Sequence, residues 1–152
     1  MIKRGNNKKK KGFTLIELII VLAVMAIIAL IAIPNFAAVR DNSKNKADLQ
    51  SCETIKRNVL MLVSDESIKG NGTITLTPPA ATDLPAEDGD IEGSNGRTAK
   101  VIVEEALKEV KAPQGNKIVS TDGTKPTDAT NGCDKYSITI NDGEVVVKTA
   151  AK

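Results

Sequence analysis

The hydrophobic pattern of the chain is dominated by one long apolar run near the amino terminus. From Leu15 to Ile33 every side chain is apolar except Glu17, and a block of four lysines, Lys8 to Lys11, precedes the run. As a helix, residues 13–33 would extend about 31 Å, which is enough to cross a bilayer core of about 30 Å. The lysines predict that residues 1–11 stay in the cytoplasm and that the chain beyond the run lies outside.

The polar region that follows keeps a helical period. Apolar side chains recur at Cys52, Ile55, Val59 and Leu62, which is the spacing of one face of an amphipathic helix. We therefore expect the first helix to continue to about Ser64, with glycines after residue 69 stopping it. Pro34 lacks a backbone donor and should kink or loosen this helix locally.

The rest of the chain predicts a small mixed domain with few aromatic side chains. The pattern predicts an α+β fold, in which the long amino-terminal helix packs against a small antiparallel β-sheet head domain. The predicted elements are an edge strand over residues 73–77, a loop over 78–96, a helix over 98–111, a short strand over 117–120 and a hairpin of residues 136–140 and 144–149 turning at Asn141-Asp142-Gly143.

Glu17 is the most informative residue, because a charged side chain at mid-membrane costs on the order of 2.5–3.5 kcal/mol. Thr14 and Glu17 have the spacing of a capping box, and a carboxylate also suits the positive end of a helix dipole. A secretory signal peptide is the poorer interpretation, since the apolar run is too long and lacks an A-x-A cleavage pattern. A plain single-pass anchor shares the predicted topology.

The segment Gly12-Phe13-Thr14-Leu15-Ile16-Glu17, placed after a basic leader, resembles the processing site of type IV pilins and pseudopilins. The resemblance implies that a prepilin peptidase removes residues 1–12 and methylates the new amino terminus at Phe13. It implies that residues 13–35 form the transmembrane and assembly helix, that residues 36–152 form the extracytoplasmic head, and that Glu17 pairs with the Phe13 amine of a neighbouring subunit. In such filaments the stretch around Pro34 unwinds locally.

The function that the resemblance implies is that of a structural subunit of a type IV pilus, supporting adhesion, motility or aggregation. Its partners would be identical subunits, the peptidase, and an assembly ATPase with its membrane platform, and the chain would move from the cytoplasmic membrane to a surface filament. A pseudopilin of a secretion or DNA-uptake system and a membrane-anchored surface binding module remain as alternatives.

The charge of the chain is distributed unevenly between the leader and the rest. The net charge of +2 hides an asymmetry, because six of the 21 basic residues lie in the leader and leave 15 against 19 acidic ones. Such a balance gives no case for direct nucleic-acid binding.

Cys52 and Cys133 both fall on the predicted outer side, where a disulfide is expected. Closing a loop of roughly 80 residues would stabilise the folded state by about 4.5 kcal/mol. Pilins usually carry both cysteines in the carboxy-terminal region.

Other candidate sites are weak. Asp88, Asp90 and Glu92 resemble the first half of a calcium loop, but Ala99 stands where the bidentate glutamate belongs, so a solvated acidic loop is favoured and neither a metal nor a cofactor is expected. Asn71-Gly72-Thr73 is a weakly indicated glycosylation sequon. The chain has no histidine and no phosphate-binding loop, so the sequence predicts a protein that is not an enzyme.

Overall fold

The computed structural model describes residues 12–78 and 87–152, except for the side chains of residues 34, 35 and 87–89. The backbone divides into two compact units, Met1–Ala38 and Val39–Lys152. The predicted leader lies outside the described residues, apart from Gly12. The α+β class predicted above is confirmed, with one long helix, one short helix and small antiparallel sheets.

Helix α1 (Leu15–Ser64) is the longest element and belongs to both units. Its part in the first unit is apolar and exposed throughout: Leu30, for example, keeps 77% of its surface. The backbone remains helical through Pro34, so the expected loosening does not interrupt the helix. This helix is long and apolar enough to cross a membrane, by length and composition.

The end of α1 falls at the predicted residue, but the cause differs. The helix stops at Ser64, and Glu66 then adopts a left-handed φ of 58°. The Asp65 side chain accepts a hydrogen bond from the backbone N–H of Ser67 at 2.9 Å, which closes the turn. The chain therefore reverses before Gly70 is reached.

Within residues 39–78 and 87–152, the second unit contains helix α2 and eight strands. A four-stranded antiparallel sheet has the order β3-β2-β7-β8, and two two-stranded sheets pair β1 with β4 and β5 with β6. The bounds are β1 Ile68–Lys69, β2 Gly72–Leu76, β3 Glu87–Gly89, β4 Glu92–Gly93, α2 Ala99–Ala106, β5 Lys117–Ile118, β6 Thr127–Asp128, β7 Cys133–Asn141 and β8 Glu144–Ala151.

Two sequence predictions are corrected here. Strand β2 was expected at an edge, but it lies between β3 and β7, because the predicted 78–96 loop contributes strand β3. The predicted 98–111 helix ends at Ala106 instead, with Leu107 as its C-cap. Its start is as expected: the Thr98 side chain accepts from the backbone N–H of Val101 at 3.5 Å.

The β7–β8 hairpin is confirmed. Asp142 and Gly143 form its two-residue turn with φ of 50° and 83°, and these left-handed values match the twist of the flanking strands. The turn is held to the start of β2, where the Asn71 side chain accepts from the Asp142 N–H at 2.8 Å and donates to the Asp142 carboxylate at 3.1 Å.

The core of the second unit is built on the predicted face of α1. Cys52, Ile55 and Val59 are fully buried there. The sheet and α2 supply the facing side chains, which are mostly aliphatic, with Tyr136 as the one aromatic residue in the cluster: Ile74, Leu76, Ile102, Val103, Leu107, Tyr136, Ile138, Ile140, Val145 and Val147. The head thus folds around the helix, which supplies apolar surface that a small sheet lacks.

Candidate functional site

The amino-terminal end of α1 brings two of the predicted site residues together. The Thr14 hydroxyl oxygen accepts from the backbone N–H of Glu17 at 3.3 Å, as an N-cap does, and its O–H lies 3.5 Å from the Glu17 carboxylate as donor. The Glu17 carboxylate therefore contacts the Thr14 side chain. Within the described residues it makes no hydrogen bond to the backbone N–H of Thr14, which a capping box would include. Thr14 and Glu17 form a capped helix start, and the acid sits in the first turn.

The residues of the predicted cleavage site precede this cap. Gly12 and Phe13 are non-helical, and Phe13 keeps 84% of its surface. A Cβ placed on Gly12 would meet no atom within 4 Å. The Gly12–Phe13 peptide bond is thus accessible within the described chain, as a protease substrate requires.

The apolar side chains that follow have no partner within the described chain. Those from Leu15 to Ile33 each keep about half or more of their surface, and burying one such side chain stabilises by about 1.5–3 kcal/mol. An apolar surface of this size needs lipid or other protein around it. Glu17 is the one charge within it.

The second unit contains a polar cluster that the sequence did not predict. Asp48 is 4% exposed, and its carboxylate accepts from the backbone N–H groups of Gln114, at 3.0 and 3.2 Å, and Gly115, at 2.7 Å. Asn45, one turn earlier, accepts from the N–H groups of Asn116 and Lys117 at 3.1 and 3.2 Å. We call Asn45 and Asp48 the loop clamp, because together they hold four successive backbone amides.

The positions of the two clamp residues, although not their partners, could have been found from the helical spacing of the sequence. Asn45 and Asp48 continue the buried stripe of Cys52, Ile55 and Val59 with steps of three and four residues. A polar residue in that register must meet donors inside the head. The partners themselves lie some 70 residues away in the chain and have no sequence pattern of their own.

Gly115 is the residue that lets the loop approach the helix. A Cβ at this position would lie 2.2 Å from Asn45 Oδ1 and 2.7 Å from Asp48 Oδ2. Its carbonyl accepts from the Cys133 N–H at 3.1 Å, so the clamped loop also fixes the start of β7.

Cys52 and Cys133, predicted to form a disulfide, are both buried in this region and are present as free thiols. Burial, together with the nearby Asp48 carboxylate, raises the pKa of the Cys52 thiol to about 12. The Cys133 thiol donates to the Lys117 carbonyl at 3.4 Å. Cys133 begins β7, and a bond between the two sulfurs stays a prediction.

The weak metal candidates occupy separate elements. Asp88 lies in β3, which pairs with β2, whereas Glu92 lies in β4, which pairs with β1. Asp90, between them, is exposed. The side chain of Asp88 lies outside the described residues, and among the side chains that the structure describes no three potential metal ligands are grouped around a common point.

These features define a class of protein: a chain with a long amino-terminal helix that is capped at its start, apolar and exposed in its first half, and packed against a small α+β head in its second half. The family described as "Prokaryotic N-terminal methylation motif" matches residues 7–33. Over 121 residues the chain is 36% identical to "Prepilin peptidase-dependent protein A" of Clostridium perfringens (strain 13 / Type A), covering 78% of this chain and 81% of that protein. No solved structure matches the chain. The chain belongs to the type IV pilin-like family, which includes pilins and pseudopilins.

Proposed function

We propose that the chain is the precursor of a type IV pilus subunit, cut after Gly12 by a prepilin peptidase and methylated on Phe13. The mature chain is anchored in the cytoplasmic membrane by the apolar half of α1 and is then assembled into a surface filament of identical subunits. The methylation motif and the prepilin peptidase-dependent relative support the processing step. An assembly ATPase and its membrane platform would supply the energy that moves subunits from the membrane into the filament. The filament would serve adhesion, motility or aggregation.

The observation that carries this proposal is the position of Glu17. It is the fifth residue of the mature chain after the proposed cut, and it is the one carboxylate in the exposed apolar run from Leu15 to Ile33. Its only neighbouring partner in the described chain is the Thr14 hydroxyl at 3.5 Å, which leaves the charge itself uncompensated. An uncompensated carboxylate in an apolar setting is expensive, and a cation beside it offsets much of that expense.

Cleavage would create such a cation. The new amine at Phe13 lies in the same membrane layer on every subunit, so the Glu17 of one copy can meet the amine of the next. Subunits then gain most in the single axial register where acid and amine meet. Processing would thereby control polymerisation, because the uncut precursor lacks the amine at this position.

Two measurements test the proposal. Mass spectrometry of the mature chain should show loss of residues 1–12 and one added methyl group on Phe13, and an intact leader would refute it. Glu17→Gln should insert in the membrane and be processed but fail to enter filaments. Thr14→Ala is the matched control: it removes the cap and keeps the carboxylate, so it should retain filaments if Glu17 acts in assembly.

Electron microscopy of cells that overproduce the chain distinguishes a pilin from the two alternatives. Long surface fibres are expected here. A pseudopilin would give short or no fibres despite processing, and a membrane-anchored binding module would keep working with Glu17→Gln.

A further inference from the structure

The second unit carries different charges at its two ends. Along α1 the distance from Lys46 to Asp65 is about 28 Å, at 1.5 Å per residue. The end near Lys46 includes the clamped loop and the start of β7, which Gly115 joins through its bond to Cys133. The end near Asp65 includes the paired strands β1 and β4.

The first end carries a groove that we call the lysine groove. Its volume is about 340 Å³, and three lysines stand around an apolar floor: it is lined by Lys46, Lys117, Lys125, Leu49, Val119 and Pro126, with Asn42 and Asn45. Lys117 forms an ion pair with Asp128 at 3.5 Å. Lys46 and Lys125 make no hydrogen bond or ion pair with any residue that the structure describes. The nearby Asp48 is turned inward to the backbone amides of Gln114 and Gly115.

The opposite end carries what we call the acidic patch. Asp65, Glu66 and Glu92 line one shallow concavity of about 420 Å³ together with Lys69. Lys69 pairs with Glu66 at 2.8 Å, so two of the three carboxylates have no basic partner there. Asp90 adjoins Glu92 in the chain and is exposed.

We propose that the acidic patch of one copy docks on the lysine groove of a second copy. This inference rests on the proposed function, in which membrane insertion gives all copies the same direction. Copies that point the same way and are offset along α1 bring the far end of one head beside the near end of another. The opposite charges favour this offset, because two copies that point the same way without an offset would place like charges side by side.

The geometry of this contact suits a filament. The two surfaces are different, so the contact is head-to-tail and leaves a free groove and a free patch on every pair. Such heterologous contacts generate open helical filaments when the rotation does not close a ring. Exposed ion pairs contribute about 0.2–1 kcal/mol each, so the contact would set register and direction more than strength, which Glu17 and the apolar helices supply.

Charge reversal tests the contact in cells that make the full chain. Lys46→Glu with Lys125→Glu should weaken each contact about tenfold, the equivalent of 1.4 kcal/mol, and so lower the fraction of subunits in filaments. Adding Glu66→Lys and Glu92→Lys to the same chain should restore it, and both changes leave the turn-closing Asp65 in place. Lys108→Glu is the matched control, because it reverses an exposed lysine in a separate groove and should have little effect.

Cross-linking identifies the neighbour directly. A chain with Lys125→Cys and Glu92→Cys should give dimers and longer ladders upon oxidation of filaments, while Lys108→Cys with Glu92→Cys should not. The native thiols are buried and should contribute little. Absence of ladders, or reversal variants that assemble at the wild-type level, would overturn the inference.

The proposed function is judged separately, by the mass of the mature amino terminus and by the effect of Glu17→Gln. If processing and dependence on Glu17 hold while the charge variants assemble normally, only the docking contact is refuted. Reversal variants that assemble but lose binding to an anionic surface would show that the lysine groove serves a foreign partner, which also overturns it.

Discussion

The loop clamp predicts a large effect from one small change, Asp48→Asn. The substitution keeps the size of the side chain but replaces one acceptor oxygen by an NH₂ group. In the native arrangement the two carboxylate oxygens accept from the N–H groups of Gln114 and Gly115, and the Gly115 bond is 2.7 Å long. An asparagine oxygen in the place of Oδ2 would keep the Gly115 bond and the longer Gln114 contact of 3.2 Å. Its NH₂ group would then face the Gln114 N–H, which donates to Oδ1 at 3.0 Å in the native chain.

The magnitude follows from these contacts. Hydrogen bonds to a charged group contribute about 1.5–3 kcal/mol, and a buried donor left without a partner costs about 1–3 kcal/mol. We expect Asp48→Asn to lower the free energy of unfolding of the head by about 3 kcal/mol, or roughly 10 °C in melting temperature for a domain of this size.

The chain offers a clean assay for this change. Tyr136 is its single tyrosine, there is no tryptophan, and Tyr136 is 1% exposed in the core of the head. Its fluorescence in the detergent-solubilised full chain therefore reports unfolding of the head and ignores the apolar half of α1.

Glu53→Gln is the matched control, since it neutralises an acid on the same helix outside the clamp, and it should shift stability by less than about 0.5 kcal/mol. If both variants have the melting temperature of the wild type, the hydrogen bonds of Asp48 do not stabilise the head, and the reasoning is refuted.

Three further predictions concern the same region. Gly115→Ala should destabilise at least as strongly as Asp48→Asn in the same melting assay, because its Cβ would overlap Asn45 Oδ1 at 2.2 Å; unchanged melting would show that the loop can move away. Alkylation of the denatured chain, with and without reductant, should detect the predicted disulfide as protection that only reductant removes, and full labelling without reductant would refute it. Alkaline pH should destabilise the head, because burial raises the pKa of Cys52 from 9.0 and that of Tyr136 from 10.0, each to about 12. The fold favours the protonated forms, so this stability is present below about pH 9 and is lost as the pH rises toward 12. In a disulfide-bonded chain the loss of stability should begin only near pH 10, because Cys52 then has no thiol proton to lose and, of these two groups, only Tyr136 titrates.

The parts of the fold that sequence predicts well are those that depend on local periodicity. The α1 helix, the buried stripe through Cys52 and the Asp142-Gly143 turn all follow from spacing within a few turns of the chain. The end of α1 at Ser64 was placed correctly, but it comes from the Asp65–Ser67 turn and not from the glycines that predicted it. The central place of β2 was missed because its second neighbour, β3, comes from a segment with no strand pattern. The early end of α2 at Ala106 was missed because the apolar spacing continues to Val110.

The candidate site divides in the same way. Gly12, Phe13, Thr14 and Glu17 lie within one short motif, so residue type and spacing were enough to propose them as site residues. The partners of Asp48 and Asn45 could not be identified, because backbone amides have no sequence signature. The lysine groove was equally hidden, since Lys46, Lys117 and Lys125 meet only through the fold.

The loop clamp has a consequence for assembly that an apolar contact would not have. Aliphatic side chains on α1 could pack against the sheet in neighbouring registers at modest cost, since cores tolerate hydrophobic rearrangement. A slip of one helical turn would move the head about 5.4 Å along α1 and leave Asp48 buried without its donors. The polar contacts therefore specify where on the helix the head sits. The same fixed register determines where along the second half of α1 the lysine groove and the acidic patch lie. Weak surface charges can select a neighbour only if they recur at constant spacing, and the clamp provides that constancy.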